Sequence, residues 1–542
     1  VNWLNWLNWF IIGSKNPHHP PNPQKSAFYF TIMNTLIYSA YSFGTRLFET
    51  QLELMKNEMD EGNTLHVLKC GRVLEACMFN KRHDLLKCAK CQSRAYNGLS
   101  KIGVPKGNIH DLRHFDEAYK VEIPHFSTLE NLLAYEFEGI KIGRGVASSM
   151  ITQTRDFELD SDKYGARIET NIRMSINVYL NFKHYLKALK IDKIITFNGR
   201  FAEQRPVVEI AEQMNIPYIV HERGGTLSKY ILYQNSTPFD FEYNYREINR
   251  YWQEADPEYR QTRADEWYMQ RRKGIPQNWY VYINDQEKNT LPEGFDPTKR
   301  NIVIFNTSED ECKALEGWEN PYFADQNAGI AYLAEQFADD PNVHFYLRVH
   351  PNLGTVNNSQ VRGIKALDYP NLTVLPPDSE VDSYALMDTC AVTITFGSTM
   401  GIEATYWEKP SILAGQSTYK TLGSVYIPDS KEHLVEMIKT LNEPMPKLGA
   451  LQYSFWNAVK GIDFKYYEPV SVNNGKFMGE FLGYEQHLDE YLQEKERKNK
   501  GLKGRISRGL KRVLGTEKTL TENGFYEKKY DELYEKAKES YT

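Results

Sequence analysis

From about residue 25 onward, short apolar runs alternate with longer stretches whose apolar residues recur at helical intervals. That alternation predicts strands and helices layered on largely parallel sheets. Residues 43–58, with Leu47, Leu52 and Leu54, read as a helix, and Thr64–Lys69 as the strand after it. Farther on, strands at 193–197 and 216–220 flank a helix at 202–214, a compact βαβ unit. A second series has strands at 301–305, 343–349 and 372–375 and a helix at 328–337. Between the two series, residues 277–300 are polar and include Asp285, Pro292, Gly294 and Pro297, as a linker would. The expectation is an α/β protein of two Rossmann-like domains facing a cleft. The first spans 25–285 and the second 299–475, with an extension at 1–24 and a helical basic tail at 476–542.

The run Thr393-Ile-Thr-Phe-Gly-Ser-Thr-Met-Gly-Ile-Glu-Ala404 carries the clearest chemistry, because it reads as a buried strand, a tight turn and a helix opening on that turn. Free N–H groups and the positive dipole end favour an anion there, and Gly397, Ser398 and Thr399 suit a phosphate. Glu403, about one turn into the helix, is placed to accept hydrogen bonds from ribose hydroxyls, or simply to complement the dipole. The strand at 343–349 brings Arg348 and His350 to its carboxyl end, the edge where open α/β sheets bind ligands. Ser308 and Glu309 follow the first strand of the same half; an ordinary helix start explains them equally well. Together these residues predict a nucleotide-sugar site.

In the first half, Phe197-Asn-Gly-Arg200 and His221-Glu-Arg-Gly-Gly225 each end a strand, so their polar groups are expected above the sheet. Glycosyl transfer needs a group to take the acceptor proton, and Glu222, with His221 in reserve, suits that task. Cations must stabilise the leaving phosphate, and Arg200, Arg223, Arg348 and His350 suit that one. A structural ion pair between Glu222 and Arg223 is the competing reading. Gly224 and Gly225 would let the backbone approach a ligand or merely turn.

In fixed order, the blocks at 305–311, Arg348-Val-His-Pro-Asn352, Gly397-Ser-Thr-Met-Gly-Ile-Glu-Ala404 and Glu408-Lys-Pro410 resemble the capsule polysaccharide biosynthesis family and its surface-glycan relatives. The blocks at 197–200, 205–206 and 221–225 extend that resemblance into the first half. It implies a GT-B glycosyltransferase that moves a sugar from a nucleotide-activated donor, of unspecified base, onto a glycan or lipid-linked glycan acceptor, without a catalytic metal. A nucleotide-sugar 2-epimerase of the same fold, or a non-catalytic glycan-binding protein, is the alternative.

Four of the six cysteines crowd into one segment: Cys70, Cys77, Cys88 and Cys91. The Cys88-Ala-Lys-Cys91 spacing fits a structural zinc knuckle, with His66 and His83 as lesser substitutes; the loose first pair leaves reduced core thiols or disulfides open. The surface-glycan relatives carry a similar cysteine-rich segment.

The apolar fraction of 41% and charged fraction of 25% fit a globular protein. A net charge of -6 argues against general nucleic-acid binding. No apolar run reaches the roughly 18 residues that span a bilayer. Residues 495–514 combine many Lys and Arg with Leu502, Ile506, Leu510, Val513 and Leu514, a basic amphipathic helix suited to an anionic membrane surface or to a partner protein. The Asn-Trp-Leu repeat at the amino end lacks the basic start of a signal peptide. A cytoplasmic protein, peripheral at the inner membrane face, is the resulting expectation.

Overall fold

The computed structural model describes residues 32–44, 46–277, 283 and 285–483, and those from Met33 onward fall in one compact unit. The amino-terminal repeat and the basic segment 495–514 lie outside the described residues. Five parallel strands come first: β1 (Asn34–Ser39), β2 (Thr64–Lys69), β3 (Ile109–Asp111), β4 (Lys193–Phe197) and β5 (Tyr218–Arg223). β6 (Lys229–Gln234) turns back antiparallel on β5. A second, wholly parallel set follows: β7 (Arg300–Phe305), β8 (Val343–Arg348), β9 (Leu372–Leu375), β10 (Val392–Thr395) and β11 (Ser411–Leu413). The short strands β12 (Ile462–Asp463), β13 (Tyr467–Ser471) and β14 (Asn474–Phe477) close the described chain.

The strand orders are β12-β6-β5-β4-β1-β2-β3 and β11-β10-β7-β8-β9. Within each, the first five strands of the set take the same doubly wound order, reversing beside the first strand. The chain therefore has the α/β fold with two Rossmann-like sheets that the alternation predicted. Ile302, Val303 and Ile304 are all fully buried, as are Leu36 and Ile37, because helices cover both faces of each sheet.

Local differences have local causes. The helix expected at 43–58 is Leu47–Asp60, because Gly44 and Arg46 both take positive φ and hold the chain in a turn first. The helix expected at 202–214 is Arg205–Gln213, started by Pro206 in its first turn. β5 runs on to Arg223, so His221 and Glu222 lie within the strand, where alternation sends them to opposite faces.

The second half does not keep its own end. Helix Leu448–Val459 leads into β12, which pairs with β6 of the first sheet, while Tyr467 and Phe477 of the β13–β14 hairpin join the core around Phe48 and Leu52. This return explains Gly225, whereas a Cβ on Gly224 would stand 2.6 Å from Lys229 Cβ of β6. A Cβ on Gly225 would stand 2.4 Å from the Asn457 carbonyl oxygen, and one on Gly461 would stand 3.3 Å from Gly224 Cα. Gly225 and Gly461 admit the returning chain.

Candidate active site

The strand-order reversal of the second sheet lies between β7 and β10, and there the predicted turn sits. Gly397 has φ +149, and a Cβ on it would be 2.8 Å from the Gln416 carbonyl oxygen, so only glycine fits. The Ser398 hydroxyl accepts from the Met400 N–H at 3.3 Å, and its carbonyl accepts from the Tyr419 hydroxyl at 2.5 Å. Thr399 Oγ1 accepts from the Arg271 guanidinium at 3.0 Å. The turn is thus half-buried and fastened from two sides, with helix Met400–Tyr406 leading away from it.

Glu403 differs from the expected ribose contact. It is fully buried, with Oε1 2.8 Å from the Arg271 guanidinium and Oε2 accepting from the Tyr384 hydroxyl at 2.6 Å. Both oxygens already have protein partners, and helix Pro257–Arg272 supplies the arginine from the first half's segment. Arg348 is likewise occupied: it donates to the carbonyls of Pro376 at 2.7 Å and Ser379 at 3.0 Å, holding the loop after β9.

His350 remains at the strand end. Its Nδ1 accepts from the Asn352 N–H at 3.2 Å, and its backbone N–H donates to Asn306 Oδ1 at 2.8 Å, tying the ends of β8 and β7 together. Burial, with the charges of Arg155 and Arg348 nearby, lowers its pKa to about 4. The ring is therefore neutral, and a neutral ring accepting at Nδ1 carries its hydrogen on Nε2.

Ser308 donates to Asp310 at 2.5 Å and accepts from Arg155 at 2.8 Å; Arg155 also pairs with Asp310. Glu309 is held by Lys313 at 3.1 Å. Arg155 ends helix Ile142–Thr154 of the first half, so it crosses the cleft.

On the opposing edge, Arg200 donates to the Glu311 carbonyl at 2.8 Å, a second link across the cleft, and lies over the rings of Phe201 and Phe239. Glu222 accepts from Asn198 Nδ2 at 2.7 Å and from the Arg223 N–H at 2.9 Å. Its carboxylate lies within electrostatic reach of Arg200 and Lys460. Arg223 is exposed at the end of β5. His221, expected in reserve as a base, is 1% exposed against Phe197 and is driven to a pKa of about 3 by burial. It is a neutral wall residue.

Lys460 was not visible in any motif. It arrives on the returning chain after helix Leu448–Val459, 3.7 Å over the Trp456 ring, donating to Asn457 at 2.9 Å. Burial lowers its pKa to about 8, against the pull of Glu222. Arg155 and Arg271 were equally invisible, since each stands at a helix end with partners more than a hundred residues away.

Beside Arg200, a cavity of about 380 Å³ opens between the halves, walled by Gly199, Arg205, Tyr218, Phe239 and Leu315. Beneath the same turn, Glu203 is fully buried, accepting from the Met78 N–H at 3.0 Å, and burial raises its pKa to about 7. The folded state holds this proton more tightly than the unfolded chain, so its contribution to stability is full below about pH 4.5 and is lost as pH rises through 7. Glu203→Gln removes that titration. The melting temperature of the variant relative to the parent should therefore rise between pH 5 and pH 8, and a constant difference would contradict the assignment.

The cysteine segment corrects the zinc expectation. Among the described residues no group of three or more His, Cys, Asp or Glu side chains is arranged to hold a metal. Cys88 Sγ accepts from Asn80 at 3.3 Å, Cys91 Sγ accepts from the Ser42 N–H at 3.2 Å, and Cys70, Cys77 and Cys91 pack in the apolar core. Burial pushes the Cys70 thiol up to about 12 and the Cys88 thiol up to about 11. All four are free thiols. Among the described residues no helix is long and apolar enough to cross a membrane.

No family model and no curated protein matches the chain. Among solved structures, the KpsC beta Kdo 2,4 transferase of Thermosulfurimonas dismutans is similar at 14% identity, with 49% of this chain and 79% of that chain covered and a TM-score of 0.33. The beta Kdo 2,7 transferase of the same organism stands at 13% identity, 58% and 89% coverage, and a TM-score of 0.33. The UDP-GlcNAc 2-epimerase of Neisseria meningitidis has 13% identity, 86% and 100% coverage, and a TM-score of 0.23. Likenesses this distant carry no argument about activity; the fold rests on the strand orders themselves.

Proposed function

We propose that the protein is a glycosyltransferase that moves a sugar from a nucleotide-activated donor to a hydroxyl of a glycan or lipid-linked glycan. The observation that carries this reading is the meeting of two switch-point edges. One presents the Gly397–Thr399 turn and neutral His350; the other presents Glu222 between Arg200 and Lys460. Phosphate-binding groups and a carboxylate base on opposite walls of one cleft suit group transfer.

In the proposed step, Glu222 takes the acceptor hydroxyl proton while that oxygen bonds to the anomeric carbon. The bond from that carbon to the phosphate oxygen breaks, and its electron pair leaves with the nucleotide. The turn's backbone and hydroxyls, with the Nε2 hydrogen of His350, would hold the phosphate. Arg200 and Lys460 would offset the charge that develops, and the acceptor would enter by the cavity beside Arg200. Residues 33–277 with the returning segment would form the acceptor side, and residues 300–459 the donor side. The basic segment 495–514, judged on sequence alone, would hold the enzyme at an anionic membrane face.

A thermal-shift panel of CMP-, UDP-, GDP- and CDP-sugars tests the reading, since a ligand bound only by the folded state raises the melting temperature. One nucleotide class should stabilise the protein, and rapid nucleotide release should require an acceptor. Interconversion of sugars without acceptor would establish an epimerase instead, and stabilisation without any turnover a binding protein.

A further inference from the structure

The cysteine segment presents one aromatic ring to solvent. Cys77 and Asn80 close a tight turn, the Asn80 N–H donating to the Cys77 carbonyl at 3.0 Å, and both are buried. The Met78 N–H donates to Glu203 Oε1 at 3.0 Å, Asn80 Nδ2 donates to the Asp84 carbonyl at 2.8 Å and to Cys88 Sγ at 3.3 Å, and Cys77 packs in the apolar core. The turn is thus fastened from both ends. Its tip nevertheless carries Phe79, 37% exposed, where turns ordinarily place Gly, Asn, Asp or Ser. Gly44 makes room for the ring, since a Cβ there would stand 3.0 Å from Phe79 Cζ.

Phe79 begins a row of rings that crosses the strand-order reversal of the first sheet, between β1 and β4. Its centroid lies 4.6 Å from that of Tyr41, which follows β1; Tyr41 lies 6.5 Å from Phe197, the last residue of β4; and Phe197 lies 5.5 Å from His221 of β5. Phe43 stands 6.4 Å from Phe79. The row leads to the proposed base, because Asn198, next after Phe197, donates to Glu222 at 2.7 Å. Open α/β sheets bind ligands at such a reversal, outside the carboxyl ends of the strands. Along the loop at 71–84 and these strand ends, Phe79 is the one large apolar side chain that is exposed among the described residues. Lys81 and Arg82, both exposed, follow it as a polar rim.

We infer that Phe79 binds a sugar ring of the glycan acceptor. The apolar patch is a single ring in extent, which matches the C–H face of a pyranose, and the polar groups around it suit the hydroxyls at that ring's edge. An acyl chain needs a continuous apolar groove, and one ring with charged neighbours does not provide it. The leading sugar of an acceptor whose hydroxyl has reached Glu222 would lie over the row, its C–H face on Phe79. Contact away from the reacting bond is binding energy that holds the acceptor in place for transfer. That the bound glycan is an acceptor rests on the glycosyl-transfer reading; its binding is measured without donor or turnover.

An array of oligosaccharides from capsules and other surface polysaccharides, probed with the full chain in the absence of donor, tests it. The protein should bind glycan saturably, and Phe79→Ala should weaken that binding by roughly tenfold or more. Phe79→Trp should keep it, since the larger ring offers the same kind of face. Phe79→Leu leaves an apolar side chain against Tyr41 but no ring, and should bind as poorly as Phe79→Ala. All three should melt cooperatively and keep the parent's thermal shift with nucleotide sugars, because the Gly397–Thr399 turn is untouched. Glycan binding that depends on the Phe79 ring in a protein that neither binds nor turns over nucleotide sugars would uphold the glycan site and refute the transfer reading alone. Absence of any bound glycan, parent-like binding in Phe79→Ala, or rescue by Phe79→Leu as complete as by Phe79→Trp, the mark of a plain apolar contact, would overturn the assignment.

Discussion

Glu222→Gln is expected to keep donor affinity and lower turnover by roughly 100-fold or more, the usual span for removing a general base. The surroundings make this a clean substitution. Glu222 uses one oxygen on the Arg223 N–H and the other on Asn198 Nδ2. In the variant the Arg223 N–H keeps its acceptor, and Asn198 can turn its amide over, offering Oδ1 to the new Nε2. That oxygen has no partner in the present arrangement, so turning it costs no bond. The fold should survive while the proton acceptor is lost. Single-turnover kinetics with donor titration and a melting curve separate the outcomes. Turnover within a few-fold of the parent places the base elsewhere, and a large loss of stability assigns Glu222 a structural role.

The strand alternation and the Gly-Ser-Thr turn were readable because both depend on neighbours in sequence. A buried parallel strand such as Ile302-Val303-Ile304 is a local apolar run, and a turn whose Cβ would strike a carbonyl needs glycine whatever surrounds it. Helix Ser161–Leu189 was not readable, because its buried face carries asparagines. Asn177 and Asn181 hold the backbone of Phe115 and Arg113, so the apolar period is broken by residues that are polar and fully used. The site itself was half legible. Its edges follow from strand ends, yet occupancy does not: Glu403 and Arg348 stand at the expected places but spend their charge on Arg271, Tyr384 and two loop carbonyls. Likewise Lys460 reaches Glu222 only because the chain returns to the first sheet through β12, a long-range event without a local signal.

Replacing Arg271 by Met should cost about 3–5 kcal/mol of stability, the range for stripping one partner from a buried ion pair. Glu403 would then remain fully buried with only the Tyr384 hydroxyl against a full charge. Arg271 is about a third exposed, its side chain 34% accessible against 0% for Glu403, so removing the acid is the milder change, because the stranded cation can reach water. Glu403→Gln alone should therefore lose less, and the double variant should recover most of the deficit, since no uncompensated charge is left inside. Urea denaturation of the four proteins measures this cycle. The pair also joins helix Pro257–Arg272 to the Thr399 hydroxyl, so Arg271→Met should loosen the phosphate turn and weaken donor binding even in molecules that stay folded. If the double variant regains stability but not donor affinity, Arg271 acts by positioning the turn. Stability equal to the parent's in Arg271→Met would show that the carboxylate finds another partner and that the pair does not hold the halves together.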